Sequence, residues 1–395
     1  MNTPPAEVVT YRARRIFPID RPPIDNGAVV VADGMIRAVG SASLTEGRVV
    51  DCGEVALLPG LVNAHTHWEF STLRAPLGRP RQIFPEWIGD VIASRRTAGA
   101  PPNKSAAVAQ GRRESLASGT ALAGEIASPP LAEYASAPVD AVVFHELIGL
   151  APERTAPLLA AAAEFLDRPG PLRKGLSPHA PYTVGPALLS AVVALARERN
   201  VPVAMHLAES FEELELMSAH SGPFIPLLES LEAWRPDALP RGIRPLDYLR
   251  LLAQAPRALI VHGAFLAAEE IAFLTQQRER MSVVYCPRTH AYFQAGEHPL
   301  PQLLEAGVPV ALGSDSRASN PDLSLWAEMR FVRERYPQIA DDVVLQMGTS
   351  RGAEALGVES VYGSLTPGKR AAMVSVSLAG DEIDWSASSV TPIAQ

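Results

Sequence analysis

Cysteine is nearly missing. Only Cys52 and Cys286 occur in 395 residues, too few and too far apart for a disulfide scaffold or a Cys-rich zinc site. No apolar run approaches the roughly 18–20 residues needed to cross a bilayer, so no membrane role is expected. The N-terminal stretch "MNTPPAEVVTYRARR" has no apolar h-region, so a secretory signal is not expected and the cytoplasm is the default location. Basic runs are missing too. The net charge is −8, and Arg12, Arg14 and Arg15 form only a small cluster of the kind found on a solvated strand edge. That balance argues against nucleic acid or an anionic membrane as partner. What remains, with 47% hydrophobic and 20% charged residues, is a well-packed soluble chain of enzyme size. Its 36 prolines are scattered and form no polyproline tract.

The two ends of the chain read as β-structure. "GAVVVADGMIRAVG" has the pattern of a hairpin closed at Asp33-Gly34. "GSLTPGKRAAMVSVSL" has a Pro-Gly turn leading into an apolar strand over Ala371–Leu378. Residues 1–56 and 361–395 are therefore expected to pair into one composite β-sandwich. Between them, residues 57–360 alternate apolar strands with helical periodicity. The expected strands are Ala56–Asn63, Thr120–Ala127, Ala141–His145, Gly175–His179, Val203–His206, Ala258–His262, Ser282–Cys286 and Val308–Gly313. Helical patterns cover Pro186–Arg199, Leu266–Arg278 and Leu323–Arg335, the first opening on proline and stopping at Asn200. Mostly alternating strands and helices over this length fit an α/β fold, a parallel (β/α)8 TIM barrel. A doubly wound open sheet is the alternative, but neither G-x-G-x-x-G nor G-x-x-x-x-G-K-[ST] occurs to support it. The long connection from about 212 to 256 is placed to cover a pocket mouth.

The strand ends carry the chemistry. "LLPGLVNAHTHWEF" puts His65 and His67 at the exit of the first strand, and residues i and i+2 of a strand face the same side. His179, His206 and His262 end later strands, so five of the nine histidines fall at such points. Glu209 follows His206 by three positions, and Asp315 follows the last strand. In a barrel these ends share one rim, where active sites are built. Neutral imidazoles together with a carboxylate suit zinc or another late divalent metal. A lone strand-end histidine is more often a satisfied core or surface residue; the number of independent strand ends favours a site. His220 and His298 sit in polar loop contexts and read as solvated. His145 begins "HELIG", but position 149 is glycine, so the zincin H-E-x-x-H pattern fails and His145 reads as structural or as a support behind the site's own residues.

The ordered segments "PGLVNAHTH", "SPHAPYTV", "MHLAES", "VHG", "CPRTH" and "ALGSDSRASNPDLSLWAEMR" resemble the amidohydrolase superfamily. The branch they resemble holds the ring deaminases (adenosylhomocysteine, methylthioadenosine, guanine and aminofutalosine deaminases) and the triazine chlorohydrolases. The likeness covers essentially the whole chain. It implies one divalent ion, zinc by default with iron or manganese as alternatives, held by His65, His67, His206 and Asp315. It further implies that Glu209 shuttles protons, that His262 orients water or polarises the substrate, and that His179 touches the substrate. Asp315 takes a proton from the attacking water as well as serving as a ligand. Binuclear members carry a carboxylated lysine at the end of strand four. Here that strand ends at His179 and Lys174 comes too early, which favours a single ion. The implied reaction is hydrolysis of a carbon–nitrogen bond outside peptides, chiefly deamination of an amino-substituted purine-like heterocycle or nucleoside. A divalent ion lowers the pKa of water to about 7 and makes hydroxide available.

Departures from the family's pattern set the open questions. After Cys286-Pro287 the chain has Arg288-Thr289-His290, where relatives often have Ser-Asn. Arg288 either binds a carboxylate or phosphate of the substrate or caps a loop. His290 is its companion candidate for substrate contact. Trp68, with Phe70 and Trp87, either supplies a stacking wall for an aromatic ring or belongs to the core. Loss of chloride or opening of a cyclic amide is the competing reaction, and a non-catalytic metal-binding relative is a remote third reading. Homo-oligomerisation is left open.

Overall fold

A computed structural model describes residues 7–97, 104–129, 131, 134, 140–293 and 296–394. The N-terminal strands are β1 (Val8–Ile16), β2 (Ile24–Ala32), β3 (Met35–Ser41), β4 (Arg48–Asp51) and β5 (Val55–Pro59). Asp33 and Gly34 join β2 to β3 with φ of 54° and 71°, the left-handed pair that a two-residue hairpin turn requires. The barrel strands follow: β6 (Leu61–Thr66), β7 (Thr120–Ala127), β8 (Asp140–Leu147), β9 (Arg173–Pro178), β10 (Val203–Leu207), β11 (Ala258–His262), β12 (Met281–Tyr285) and β13 (Val310–Leu312). The chain ends in β14 (Met373–Ala379), β15 (Glu382–Ile383) and β16 (Thr391–Ala394).

The terminal segments pair with each other. β14 runs antiparallel to β5, and β5 continues through β1 into β2 and β3, so the two ends share one eight-stranded network. The expected strand Ala56–Asn63 is in fact two strands. It breaks at Gly60, so its first half joins the terminal sheet and its second half opens the barrel. Gly60 is needed at the crossing: a Cβ there would lie 2.6 Å from Ala121 Cβ, and its N–H donates to Ala372 O at 2.8 Å.

β6 to β13 form the second eight-stranded sheet, every neighbour parallel. It closes where Asp315 N–H donates to His65 O at 3.0 Å and Thr66 Oγ1 donates to Asp315 O at 3.0 Å. The sheet is a (β/α)8 barrel. Its strands are apolar on both faces, as parallel strands covered on both sides must be. Val62, Leu122, Val142, Ala204, Leu259, Val284 and Ala311 join Leu356 and Tyr362 in one buried cluster. The alternate residues Met205, Ile260, Val283 and Val310 pack with the surrounding helices. Helix Pro186–Arg199 has the predicted bounds, with proline at its first turn and Asn200 in the left-handed conformation at its end. The stretch beyond β10 folds into helices Phe211–Ala219, Phe224–Ser230 and Pro245–Leu252, and its Phe224, Leu227, Leu228 and Leu231 line the mouth of the cavity described next. No helix among the described residues is long and apolar enough to cross a membrane.

Candidate metal centre and catalytic cavity

Four strand ends converge at the C-terminal rim of the barrel. His65 and His67 leave β6, His206 lies in β10, His262 closes β11 and Asp315 follows β13. The ring centroids of His65 lie 4.8 Å from His67, 5.0 Å from His206 and 5.7 Å from His262. Asp315 Oδ1 is 3.6 Å from His65 Nε2 and 3.7 Å from His67 Nε2.

The residues fit a divalent ion on two observations. Both ring nitrogens of fully buried His65 lack any hydrogen-bond partner, a costly state for polar atoms unless something else meets them. The ligand atoms of His65, His67 and His206, and those of His65, His262 and Asp315, also lie within 4.8 Å of one another in each group. Burial and the neighbouring imidazoles depress the histidine pKa values, to about 4 for His206. The rings are therefore neutral, the form that binds metal. His206 Nδ1 donates to His179 O at 2.9 Å, which leaves Nε2 with its lone pair toward the site.

Local conformation aims these groups. His262 and Asp315 have φ of 70° and 56°, rare for residues with a side chain. In β11 the alternation puts Ile260 toward the helices and Val261 toward the interior. His262 would follow Ile260 outward. Turning φ from about −120° to the left-handed region carries Cβ across to the interior instead. Gly313 allows the seam to close: a Cβ there would meet His65 Cβ at 2.8 Å and Cys286 Sγ at 3.0 Å. Asn63 Oδ1 accepts from Ser314 N–H at 3.1 Å and locks the same turn. Ser319 Oγ donates to Asp315 Oδ2 at 3.2 Å.

Glu209 lies beside His262, with Oε1 3.3 Å from Nε2. Burial first, then the charges of Asp315 and Glu213, raise its pKa well above that of a free carboxylate, which favours the protonated form. Glu213 fixes the backbone here, accepting from Ala208 N–H at 2.7 Å and Glu209 N–H at 3.4 Å. The sequence reading missed Glu213. A carboxylate one helical turn past "HLAES" was the available signal.

The metal-binding face is the floor of a cavity of about 240 Å³. Its walls are apolar and aromatic, including Phe70, Phe84, Trp87, Ile148, Tyr182 and Leu231. His179 lines it as well. Thr183 Oγ1 donates to Ala180 O at 3.1 Å and so accepts from His179 Nδ1 at 2.8 Å, which leaves His179 Nε2 as an acceptor. Glu146, which the sequence reading passed over beside His145, lines the cavity while accepting from Ser128 Oγ at 2.7 Å. His145 itself is buried outside it.

Other expected contacts lie elsewhere. Trp68 is fully buried outside the cavity: its ring N–H donates to Ser115 Oγ at 3.1 Å and its backbone N–H to Glu125 at 3.0 Å. The short 3-10 turn over Trp68–Phe70 sends Trp68 into the core and Phe70 to the wall. Arg288 is consumed by protein carboxylates. It donates to Glu328 at 2.7 Å and to Asp322 at 2.7 and 3.1 Å, and it does not reach the cavity. The loop-capping alternative therefore describes it. His290 borders a second, much smaller cavity behind Glu209 and His262, with Nε2 donating to Gly296 O at 3.0 Å. His298, expected to be solvated, is 3% exposed.

A (β/α)8 barrel with a histidine–aspartate metal centre and an adjoining acid is the architecture of a metal-dependent hydrolase. The amidohydrolase family model matches residues 56–393, and the chain belongs to that family. It is 30% identical to the 5-methylthioadenosine/S-adenosylhomocysteine deaminase of Moorella thermoacetica, over 92% of this chain and 84% of that protein. The structure of Helicobacter pylori aminofutalosine deaminase in complex with methylthio-coformycin superposes with a TM-score of 0.83 at 25% identity, covering 96% of this chain and 94% of that one. A zinc-bound adenosine deaminase from Xanthomonas campestris gives a TM-score of 0.74 at 26% identity, covering 95% and 85%.

Proposed function

We propose that this protein hydrolytically deaminates an amino-substituted purine nucleoside, taking up one water and releasing one ammonia. The observation that carries this reading is the placement of Glu209 beside His262, on the floor of an aromatic-walled cavity and against the metal-binding face. A divalent ion held by His65, His67, His206 and Asp315, which we take to be zinc, supplies Lewis-acid activation of the attacking water. The chain's own residues do the rest. The apolar and aromatic wall takes the flat heterocycle and excludes bulk water. Glu209 gives its proton to a ring nitrogen of the substrate, which makes the amino-bearing carbon electrophilic. It regains a proton from the attacking water, delivers it to the departing amine, and takes up the remaining hydroxyl proton as the carbonyl forms, which restores its starting state, a role worth about 10²–10⁴-fold. His262, which lines the cavity beside Glu209, would stabilise the oxygen that gains charge during addition. His179 Nε2 offers an acceptor to a ring N–H or a sugar hydroxyl.

Arg288 supplies no cation to the cavity; the guanidinium that lines it is that of Arg95, which is paired with Glu69 at 2.5 Å. The test is ammonia release from metal-loaded protein given a panel of aminopurine nucleosides, their free bases and chlorotriazines. Release from nucleosides is expected. Release of chloride alone, or of nothing, would sink the proposal.

A further inference from the structure

His298 was expected to be solvated, and its burial raises the question of what it does. It is 3% exposed and stacks on Tyr285 with a centroid separation of 4.0 Å. A neutral imidazole in such a place is costly unless it makes a hydrogen bond that an apolar side chain would not. It makes one: Nε2 donates to His262 O at 2.8 Å. That carbonyl belongs to the residue whose φ of 70° brings its ring inward toward Glu209. The left-handed turn is strained for a residue with a side chain, so surrounding contacts must hold it. On the N-terminal side the parallel strand pairing of Leu207 with His262 anchors it, and beyond it Gly263 N–H donates to Leu207 O at 3.1 Å. His298 anchors the carbonyl.

A second feature places His298 behind the reacting pair. The small cavity bordered by Glu209, His262, Cys286, Thr289 and His298 adjoins the main cavity, and Glu209 and His262 border both. His298 Nδ1 is buried there without a protein partner. With Nε2 carrying the hydrogen, Nδ1 is a bare acceptor, and burial with His290 nearby depresses the ring's pKa to about 3. His298 therefore keeps one tautomer.

We infer that His298 is a positioning residue for the reaction: through the bond from Nε2 to His262 O it holds His262 in the left-handed turn that faces its ring to Glu209. This rests on the proposed roles of Glu209 and His262 in proton transfer, and it adds a residue that lies outside the main cavity. A misplacement of about 1 Å at a reacting group is enough to cost about 100-fold.

The test compares His298→Gln, whose amide N–H reaches about as far as Nε2, with His298→Leu, which keeps the volume and loses the donor. We expect His298→Leu to lower kcat by about 10- to 100-fold with KM within about twofold and metal content unchanged. His298→Gln should restore kcat to within about threefold of the parent. Long-range ¹H–¹⁵N spectra of the zinc-loaded protein should show His298 with its proton on Nε2. In the same spectra the His262 ring resonances should shift in His298→Leu and not in His298→Gln. Parental kcat in His298→Leu, equal losses in both variants, or a proton on Nδ1 overturns the inference. If His298→Leu fails to fold, the tautomer and the glutamine variant decide. If the parent deaminates nothing, the nucleoside reading fails, while the tautomer and the His262 resonances still decide the role of His298.

Discussion

The two ends of the main cavity are built by different means. The floor comes from strand termini, where backbone turns, buried hydrogen bonds and neutral imidazoles fix each group in one position. The wall comes from side chains on the helix Phe84–Thr97 and the excursion after β10, and it is held mostly by apolar packing. Positions in the floor are dictated by chemistry and admit almost no replacement. Positions in the wall are set by shape, so their substitution should change which heterocycle fits more than the chemistry at the floor.

Substitutions separate the two ends. The largest effect belongs to the centre of the floor: His65→Ala should abolish turnover and leave the purified protein without stoichiometric metal by elemental analysis. Next, Glu209→Gln should lower kcat by about 10²–10⁴-fold while metal content stays at the parental level; persistent turnover would remove Glu209 from the mechanism. In the wall, Leu231→Ala should raise KM by about tenfold with kcat within about twofold, because it removes binding that ground state and transition state share. A fall in kcat alone would show that the wall is part of the chemistry. Arg288→Ala should leave KM within about twofold but lower stability by about 3 kcal/mol in denaturant titration, since Glu328 is left buried without its partner. A large KM effect would return Arg288 to the substrate.

The smallest effect is a pH dependence away from the site. Burial, then Arg168 and Lys104, depress His145 to about 4. Above about pH 6.5 the ring is neutral in both folded and unfolded chains, and its contribution to stability is complete. As pH falls from about 6.5 toward 4, the unfolded chain takes up a proton that the folded one refuses, so stability declines. His145→Gln should make that decline shallower by on the order of 1 kcal/mol at pH 5, measured by urea unfolding. An unchanged acid limb would show that His145 does not contribute.

Much of the floor was legible in the sequence because strand ends announce themselves: an apolar run, then a polar residue with a metal-binding side chain. The bounds of β7, β11 and helix Pro186–Arg199 emerged unchanged for the same reason. Trp68 was not legible, since a single 3-10 turn decides whether it or Phe70 meets the cavity. Arg288 was ambiguous because its partners Asp322 and Glu328 lie 34 and 40 residues further on, and only folding shows that they meet it. His298 was misread because Gly296, Glu297 and Pro299 make its surroundings look like open loop, whereas Tyr285 covers its ring.

The seam between β6 and β13 also bears on how the protein is made. Thr66 and Asp315, which close the barrel, are separated by 249 positions. A ribosome delivers His65, His67 and His206 long before Asp315 emerges. Until the last strand docks, the nascent chain holds three imidazoles without the carboxylate that completes the set, and the acid Glu209 lacks the neighbouring charge of Asp315. Hydrolytic competence is therefore expected only once β13 has docked, and a chain truncated before Asp315 should show no turnover.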